Sequence, residues 1–211
     1  MATNTPASKA TPFMIRGIAA YPKLNAPYRY DQTLRKSVVD HENGSYSVDI
    51  IVDAAAAKTV KAAIEAAAKT GGVKAIKNPP WTAEEDATTG EPTGRVRFKA
   101  KGYAKRKDGT PNRISHFDAN ARPMPADTRL TSGSDVRVQV YPRVFTALGG
   151  GVRLEINAVQ VLRLVAYEGH NPFGVDPEFA ADGDDDDAAG AADEQQQQQQ
   201  GKGDDATSLD F

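Results

Sequence analysis

Residues 95–105 read RVRFKAKGYAK, and this stretch does most to decide the predicted fold. Successive side chains of a β-strand point to opposite faces of the sheet. One face then holds small and apolar side chains, at positions 96, 98, 100, 102 and 104. The other holds cations and one aromatic ring: Arg95, Arg97, Lys99, Lys101, Tyr103 and Lys105. The stretch therefore predicts a strand with a buried face and a cationic face.

Further strands with the same alternation are predicted on both sides of this one. Residues 136–141 place three valines inward and Arg137 and Tyr141 outward, and Arg143 and Phe145 follow. After a Gly149–Gly151 hairpin, residues 152–165 return with Arg153 outward, and a break in phase near Ala158 predicts a bulge. Other predicted strands are Phe13–Ala20, Tyr46–Val52 and Asn112–Asp118, the last following a basic turn at Arg106-Lys107-Asp108-Gly109.

One helix is predicted at Ala54–Lys69, where alanine, lysine and glutamate have high helix propensity. Asp53 precedes it as an N-cap, and Gly71-Gly72 end it. Residues 73–94 are predicted to form a loop that carries Trp81, the single tryptophan. Residues 21–30 hold three tyrosines and are predicted to form an exposed aromatic loop or sheet edge.

Short strands, hairpins and one helix predict a mainly β fold, a small closed barrel of the oligonucleotide-binding (OB) type. The alternation does not determine the order of the strands. Residues 1–11 are expected to be a flexible lead-in, residues 12–177 the domain, and residues 178–211 a disordered tail.

The charge is distributed unevenly along the chain. Residues 178–211 contain 11 acidic residues and one lysine, whereas the other residues contain 25 lysines and arginines and 17 acidic residues. A formal net charge of −2 thus combines a body of +8 with a tail of −10. A basic body is typical of a nucleic-acid surface, and an acidic tail can compete for that surface.

Several classes of protein and site are disfavoured by the composition. The chain has no cysteine and only three widely spaced histidines, so neither a disulfide nor a thiolate or histidine metal site is expected. The adjacent carboxylates of residues 184–187 lack a fixed scaffold and are not a selective metal site. We find no apolar run long enough for a membrane span, no phosphate-binding Gly-Lys-Ser/Thr loop and no paired catalytic residues. Neither a cofactor nor an enzymatic activity is predicted.

The outward cations and aromatics are the residue types that single-stranded DNA requires, because phosphates need positive charge and unstacked bases need aromatic surfaces. The ordinary alternative is that outward lysine and arginine simply solvate half-buried strands. Trp81 is an alternative core residue, and the tyrosines of residues 21–30 are alternative packing residues. The candidate DNA-binding residues are Arg95, Arg97, Lys99, Lys101, Tyr103, Lys105, Arg106, Lys107, Arg137, Tyr141, Arg143, Phe145, Arg153 and Trp81.

The C-terminal residues Leu209, Asp210 and Phe211 differ from the rest of the tail. Phe211 combines an aromatic ring with a free carboxylate, and a small pocket with a basic rim on a partner protein could bind both. These three residues are therefore the predicted partner-binding site.

Several segments together resemble a known family, the single-stranded DNA-binding proteins of short-tailed lytic coliphages. They are FKAKGYA (98–104), SGSDVRV (132–138), TALGGGVRL (146–154) and the acidic tail ending in Asp210-Phe211. The resemblance implies an OB-fold body that coats single-stranded DNA in replication, recombination and repair in the cytoplasm of the infected bacterial host. It implies that the tail contacts the phage polymerase and helicase-primase. It also implies that Lys99 and Lys101 contact DNA and that Tyr141 lies near a contact position.

Other interpretations stay open at this point. Proline at position 142 lies beside the family's aromatic position, so the residue that stacks on a base is not fixed, and a homodimer stays an open alternative. A general DNA-binding or annealing mediator of recombination would use the same basic groove and would bind duplex DNA as well. Competition between duplex and single-stranded DNA would separate these two functions.

Overall fold

Five strands close into a barrel in the computed structural model, which describes residues 11–125, 127–147 and 150–165. In chain order the elements are β1 (Phe13–Asp31), β2 (Lys36–Val39), β3 (Ser45–Val52), α1 (Ala54–Thr70), β4 (Trp81–Glu85), β5 (Pro92–Tyr103), β6 (Ser115–Phe117), β7 (Asp135–Phe145) and β8 (Gly151–Arg163). The predicted lead-in up to residue 10 and the predicted tail lie outside the described residues.

The barrel is a ring in the order β1-β3-β5-β8-β7, and β7 pairs back to β1. Four of the five pairings are antiparallel, and the parallel pairing of β5 with β8 closes the ring at Ala100–Leu154 and Lys101–Glu155. Closure removes the open edges that a flat sheet would expose. The predicted fold class, a mainly β closed barrel of the OB type with one helix, is confirmed.

The alternation predicted for residues 95–105 is confirmed. Phe98, Ala100, Gly102 and Ala104 are buried, and the residues between them are exposed or half-buried. Inward side chains of the other barrel strands complete the core, among them Ile15, Ile50, Val138 and Leu154. Burying a side chain of this size contributes about 1.5–3 kcal/mol, so the core fixes which face of β5 points to solvent.

The helix closely follows its prediction. The Asp53 side chain accepts a hydrogen bond from the backbone N–H of Ala56, and Gly72 follows the C-terminus with φ of 80°, a conformation suited to glycine. Its buried residues, including Val60 and Ile64, join the barrel core. The helix packs against β5, β7 and β8.

The prediction of a loop at residues 73–94 was wrong in its middle and at its end. Residues 81–85 form β4, and β5 begins at Pro92 rather than at Arg95. Thr82 pairs with Arg97 and Ala83 with Val96, so β4 exists because β5 offers it an edge. Only Trp81 and Thr82 of its sequence, WTAEE, favour a strand, and the alanine and two glutamates do not.

The first strand is longer than predicted. β1 continues through residues 21–30, and Tyr28 pairs with Val39 of β2, a strand that the sequence did not predict. The ladder between β1 and β3 shifts register between Ala20 and Lys23 and again before Tyr28. These irregularities interrupt the alternation and explain why the segment was predicted as a loop or edge.

The predicted return strand at Asn112–Asp118 was wrong in length and in partner. β6 spans Ser115–Phe117 only, and it pairs with β8 in parallel rather than with β5. The basic turn itself forms, because the Arg106 N–H donates to the Thr110 carbonyl. Ile114 is then buried against Gly102, which leads the chain away from β5.

The predicted bulge in β8 is confirmed. Gln139 pairs with Ala158 and Val140 with Ile156, so Asn157 is the extra residue. Val159 and Val161 are buried beyond the bulge, whereas Ala158, next to the extra residue, is only half-buried. In the part of the chain that the structure describes, the helix is neither long nor apolar enough to cross a bilayer.

Candidate nucleic-acid interface

Three cations point outward from the middle of β5: Arg97, Lys99 and Lys101. With Arg153 of β8, they are called the cationic face below. Within the described ranges, the amino groups of Lys99 and Lys101 form neither a hydrogen bond nor an ion pair with another side chain. Both amino groups are therefore available to phosphate oxygens.

An acidic residue lies beside the three β5 cations, which the sequence alternation did not reveal. Asp49 of β3 pairs directly with Lys99, and the side chains of Arg97 and Lys101 flank it. Burial raises the pKa of Asp49, and the charges of Lys99, Arg97 and Lys101 act in the opposite direction. When ionised, Asp49 offsets part of the repulsion among these cations.

Arg153 joins the cationic face through Tyr103. Its Nη1 atom donates a hydrogen bond to the Tyr103 hydroxyl over 2.6 Å, and its guanidinium lies 4.8 Å from the centre of the Tyr103 ring. The parallel pairing of β5 with β8 makes this contact possible. The structure thus brings together four predicted residues from two strands: Lys99, Lys101, Tyr103 and Arg153.

Tyr141 and Arg143 lie on β7, on the far side of β8 from β5. Arg143 forms an ion pair with Glu155 of β8, and the Arg143 guanidinium lies 5.4 Å from the centre of the Tyr141 ring. Because Glu155 pairs with both Tyr141 and Lys101, these residues continue the surface around the barrel.

A groove of about 750 Å³ lies between the C-terminal half of α1 and the end of β7. Its lining includes the predicted residues Lys107, Arg143 and Arg153 together with alanines of the helix. Arg106 and Lys107 are exposed in the turn after β5. The groove therefore adjoins the cationic face through Arg153.

Besides Arg143, two of the predicted cations are neutralised by ion pairs. Arg95 donates to both carboxylate oxygens of Glu84, with Nε–Oε2 at 2.6 Å and Nη2–Oε1 at 3.2 Å, and Glu84 is only 6% exposed. Lys105 forms an ion pair with Glu42. The predicted row of cations is thus shorter than the sequence indicated, because partners on other segments bind both of its ends.

Three predicted residues lie away from the cationic face. Trp81 pairs with inward-facing Phe98, its ring centre 6.3 Å from that of Phe98, so it lies on the side of β5 opposite Lys99. Arg137 faces Arg16 and donates to Gln160, across β8 from β5. Phe145 lies at the end of β7, where its ring covers Gly151.

Sequence reasoning missed two residues that adjoin the cationic face. Lys23 of β1 pairs with Ser47, which pairs in turn with Lys101. The register shifts in β1 conceal the outward position of Lys23. Tyr21, predicted to lie in an exposed aromatic loop or edge with packing as the alternative, is 65% exposed and lies under the Arg97 guanidinium.

Two further site predictions concern the C-terminal residues and metal ions. Leu209, Asp210 and Phe211 lie outside the described residues. Within the described part of the chain, no group of three or more histidine, aspartate and glutamate residues is arranged to hold a metal ion.

Comparisons with known proteins identify solved structures whose fold is similar to that of this chain. No family model matches the sequence, and no curated protein does so either. Among solved structures, the chain is similar to gp2.5, a single-stranded DNA-binding protein encoded by bacteriophage T7. The TM-score is 0.50 and the identity 19%, over 80% of this chain and 92% of that one. It is also similar to the single-stranded DNA-binding protein of bacteriophage Enc34 in complex with single-stranded DNA. There the TM-score is 0.54 and the identity 13%, over 74% of this chain and 88% of that one.

This chain has the fold of the phage single-stranded DNA-binding proteins. A C-terminally truncated form of the Enc34 protein matches with the same TM-score of 0.54 and the same identity of 13%, over 74% of this chain and 87% of that one. The shared fold extends over 74–80% of this chain.

Proposed function

We propose that this chain belongs to the phage single-stranded DNA-binding family and coats single-stranded DNA without sequence preference. It acts in DNA replication, recombination and repair, in the cytoplasm of the infected bacterial host, as a binder rather than as an enzyme. One observation carries the proposal: a closed barrel with this fold directs Lys99 and Lys101 outward, with amino groups that form no ion pair among the described residues, beside the Tyr103–Arg153 pair.

The chemistry of that surface supports binding to single strands without sequence specificity. Lysine amino groups neutralise phosphates regardless of sequence, and an exposed tyrosine ring can stack on any base. Tyr103 is 49% exposed, so part of its side chain is accessible at the surface.

The first test removes two cations from the cationic face. We expect Lys99→Ala/Lys101→Ala to weaken binding to oligo-dT and to lower the slope of log K against log salt by about 1.4, because each lost phosphate contact contributes roughly 0.7. A fluorescence titration at several salt concentrations measures both quantities. Lys58→Ala/Lys74→Ala is the matched control, since it removes two exposed lysines that lie away from the cationic face.

Equal weakening in both double variants would contradict the proposed site. Equal affinity of the wild-type protein for oligo-dT and for an uncharged polymer would contradict the function itself. An unlabelled duplex competitor separates single-strand coating from general DNA binding, because only a general binder would release oligo-dT to the duplex.

The tail is assigned a separate role in this proposal. Leu209, Asp210 and Phe211 bind replication proteins, the phage polymerase and helicase-primase, through the aromatic ring of Phe211. We expect Phe211→Ala to leave oligo-dT affinity unchanged and to weaken polymerase binding in a pull-down with the full chain. A loss of DNA affinity in this variant would assign the ring to the DNA surface instead.

A further inference from the structure

Tyr21 has an unusual backbone for a bulky residue. Its φ is 49°, in the left-handed region that favours glycine, although it lies within β1. Such a conformation costs on the order of 1–3 kcal/mol and persists only where the surroundings hold it. Here its N–H donates to the Ser132 hydroxyl over 3.0 Å, while Ala19 exchanges backbone hydrogen bonds with Gly133 and Ser134.

The strained backbone directs a large aromatic ring into solvent. Tyr21 lies where the ladder between β1 and β3 shifts register, and an irregularity of this kind re-aims a side chain. At 65% exposure, its side chain gains little from packing in the core. Burial therefore does not explain why tyrosine rather than glycine occupies this position.

The ring has a specific neighbour on the cationic face. The Arg97 guanidinium lies 5.6 Å from the centre of the Tyr21 ring, much as the Arg153 guanidinium lies 4.8 Å from that of Tyr103. The two pairs are thus alike in composition, and in each a guanidinium lies near the tyrosine ring.

Along β5, the two tyrosine–arginine pairs lie on either side of Lys99 and Lys101. Arg97 and Tyr103 are six positions apart on the same face of β5, about 20 Å at roughly 3.3 Å per residue. Lys99 and Lys101 lie between them. An extended polynucleotide along β5 would therefore pass one ring, two amino groups and then a second ring.

We propose that Tyr21 is a second base-stacking residue, and that a single strand runs along β5 with one base on Tyr21, another on Tyr103 and the intervening phosphates on Lys99 and Lys101. This inference rests on the proposed function and adds a residue and a path to it. A base that stacks on either ring displaces the arginine above it. The released guanidinium, with five N–H donors, then binds the adjacent phosphate.

The hydrogen bonding of the two arginines supports this exchange. Within the described residues, the Nε atoms of Arg97 and Arg153 are shielded from solvent and have no hydrogen-bond partner. An unsatisfied buried donor is costly, and a phosphate oxygen would satisfy it once the guanidinium moves.

The central experiment compares Tyr21→Leu with Tyr30→Leu in oligo-dT binding by the full chain. Tyr30 is a matched control because it is 60% exposed on the same strand, and no cation lies over its ring among the described residues. We expect Tyr21→Leu to weaken binding roughly 5- to 150-fold and Tyr30→Leu to change it little, because one stacked base is worth about 1–3 kcal/mol. Tyr21→Phe keeps the ring and should retain wild-type affinity.

Tyr21→Gly separates binding from folding. Glycine adopts a positive φ without strain, so this variant should unfold at the same temperature as the wild type or a higher one, while it loses affinity as Tyr21→Leu does. Equal affinity of Tyr21→Leu and Tyr30→Leu would overturn the inference. If the wild-type protein itself failed to bind oligo-dT, the proposed function would fail instead.

Photo-crosslinking tests the same residue in the unaltered protein. Oligo-dT that carries 5-iododeoxyuridine should crosslink to the peptide containing Tyr21 and to the peptide containing Tyr103. Crosslinks that include Tyr103 but never Tyr21 would overturn the second stacking position, even if a Tyr21 variant did not fold.

Discussion

Asp49 is the residue whose negative charge most directly opposes the proposed binding of DNA. Its carboxylate faces Lys99 and lies close to Arg97 and Lys101, on the surface assigned to DNA. Ionised, it attracts the same cations that phosphates would bind, and it repels phosphates itself. The sequence predicted a strand at residues 46–52, but only the pairing of β3 with β5 placed Asp49 opposite Lys99.

We expect Asp49→Asn to tighten binding to oligo-dT roughly 1.5- to fivefold at low salt, because interactions between charged groups near a protein surface are worth about 0.2–1 kcal/mol. The gain should diminish as salt screens the charges. A salt titration measures it, and Glu85→Gln on β4 serves as a control with the same charge change. Weaker binding by Asp49→Asn would mean that the carboxylate positions the lysines rather than competes with DNA.

At the scale of elements, the sequence predicted the strands that form the barrel and missed two of the strands that lie beside it. β5, β7 and β8 alternate because one face of each is buried in the core. β2 and β4 are short and largely exposed, so no alternating pattern marks them. They form because β1 and β5 provide partners, and a partner is a tertiary property.

The short strand β6 carries the most consequential buried polar residue of the described segments. His116 is 3% exposed, and neither ring nitrogen has a hydrogen-bond partner among the described residues. Burial lowers the pKa of His116 below its usual 6.5. The folded protein therefore favours the neutral imidazole, and the unfolded chain binds a proton more readily.

The contribution of neutral His116 to the free energy of unfolding is therefore fully present above about pH 6.5. It decreases as the pH falls from there toward the lower pKa of His116 in the folded state. The loss is about 1.4 kcal/mol for each unit between the two pKa values. Urea unfolding at pH 7.5 and pH 5 should show this loss in the wild type and a smaller one in His116→Phe. An identical pH dependence in both proteins would contradict the assignment to His116.

For the whole molecule, barrel closure decides which cations act together. The ring brings Arg153 beside Tyr103 although 50 residues separate them, and it places Arg137 across β8 from β5. Both arginines appear equivalent in the sequence, since each is an outward residue of an alternating strand. Their separation follows from strand order, which alternation does not encode.

The charge imbalance of the whole chain leads to a last prediction. Deletion of residues 178–211 removes a net charge of −10 from a chain whose other residues carry +8. We expect the deletion to raise affinity for oligo-dT at low salt and to have little effect at high salt, because the effect is electrostatic. Affinity that falls or stays constant at low salt would show that the acidic residues do not compete with DNA.

The sequence by itself determined the barrel class, the helix with its cap, and the inward and outward faces of β5, β7 and β8. These features depend on local propensity and on a two-residue alternation, both of which can be read from neighbouring positions. Only the tertiary structure decided that Glu84 and Glu42 neutralise Arg95 and Lys105, that Trp81 faces the core side, and that Asp49 and Tyr21 border the lysines. Those relations join residues from different strands, and strand pairing is fixed by closing one barrel around one core rather than by any segment alone.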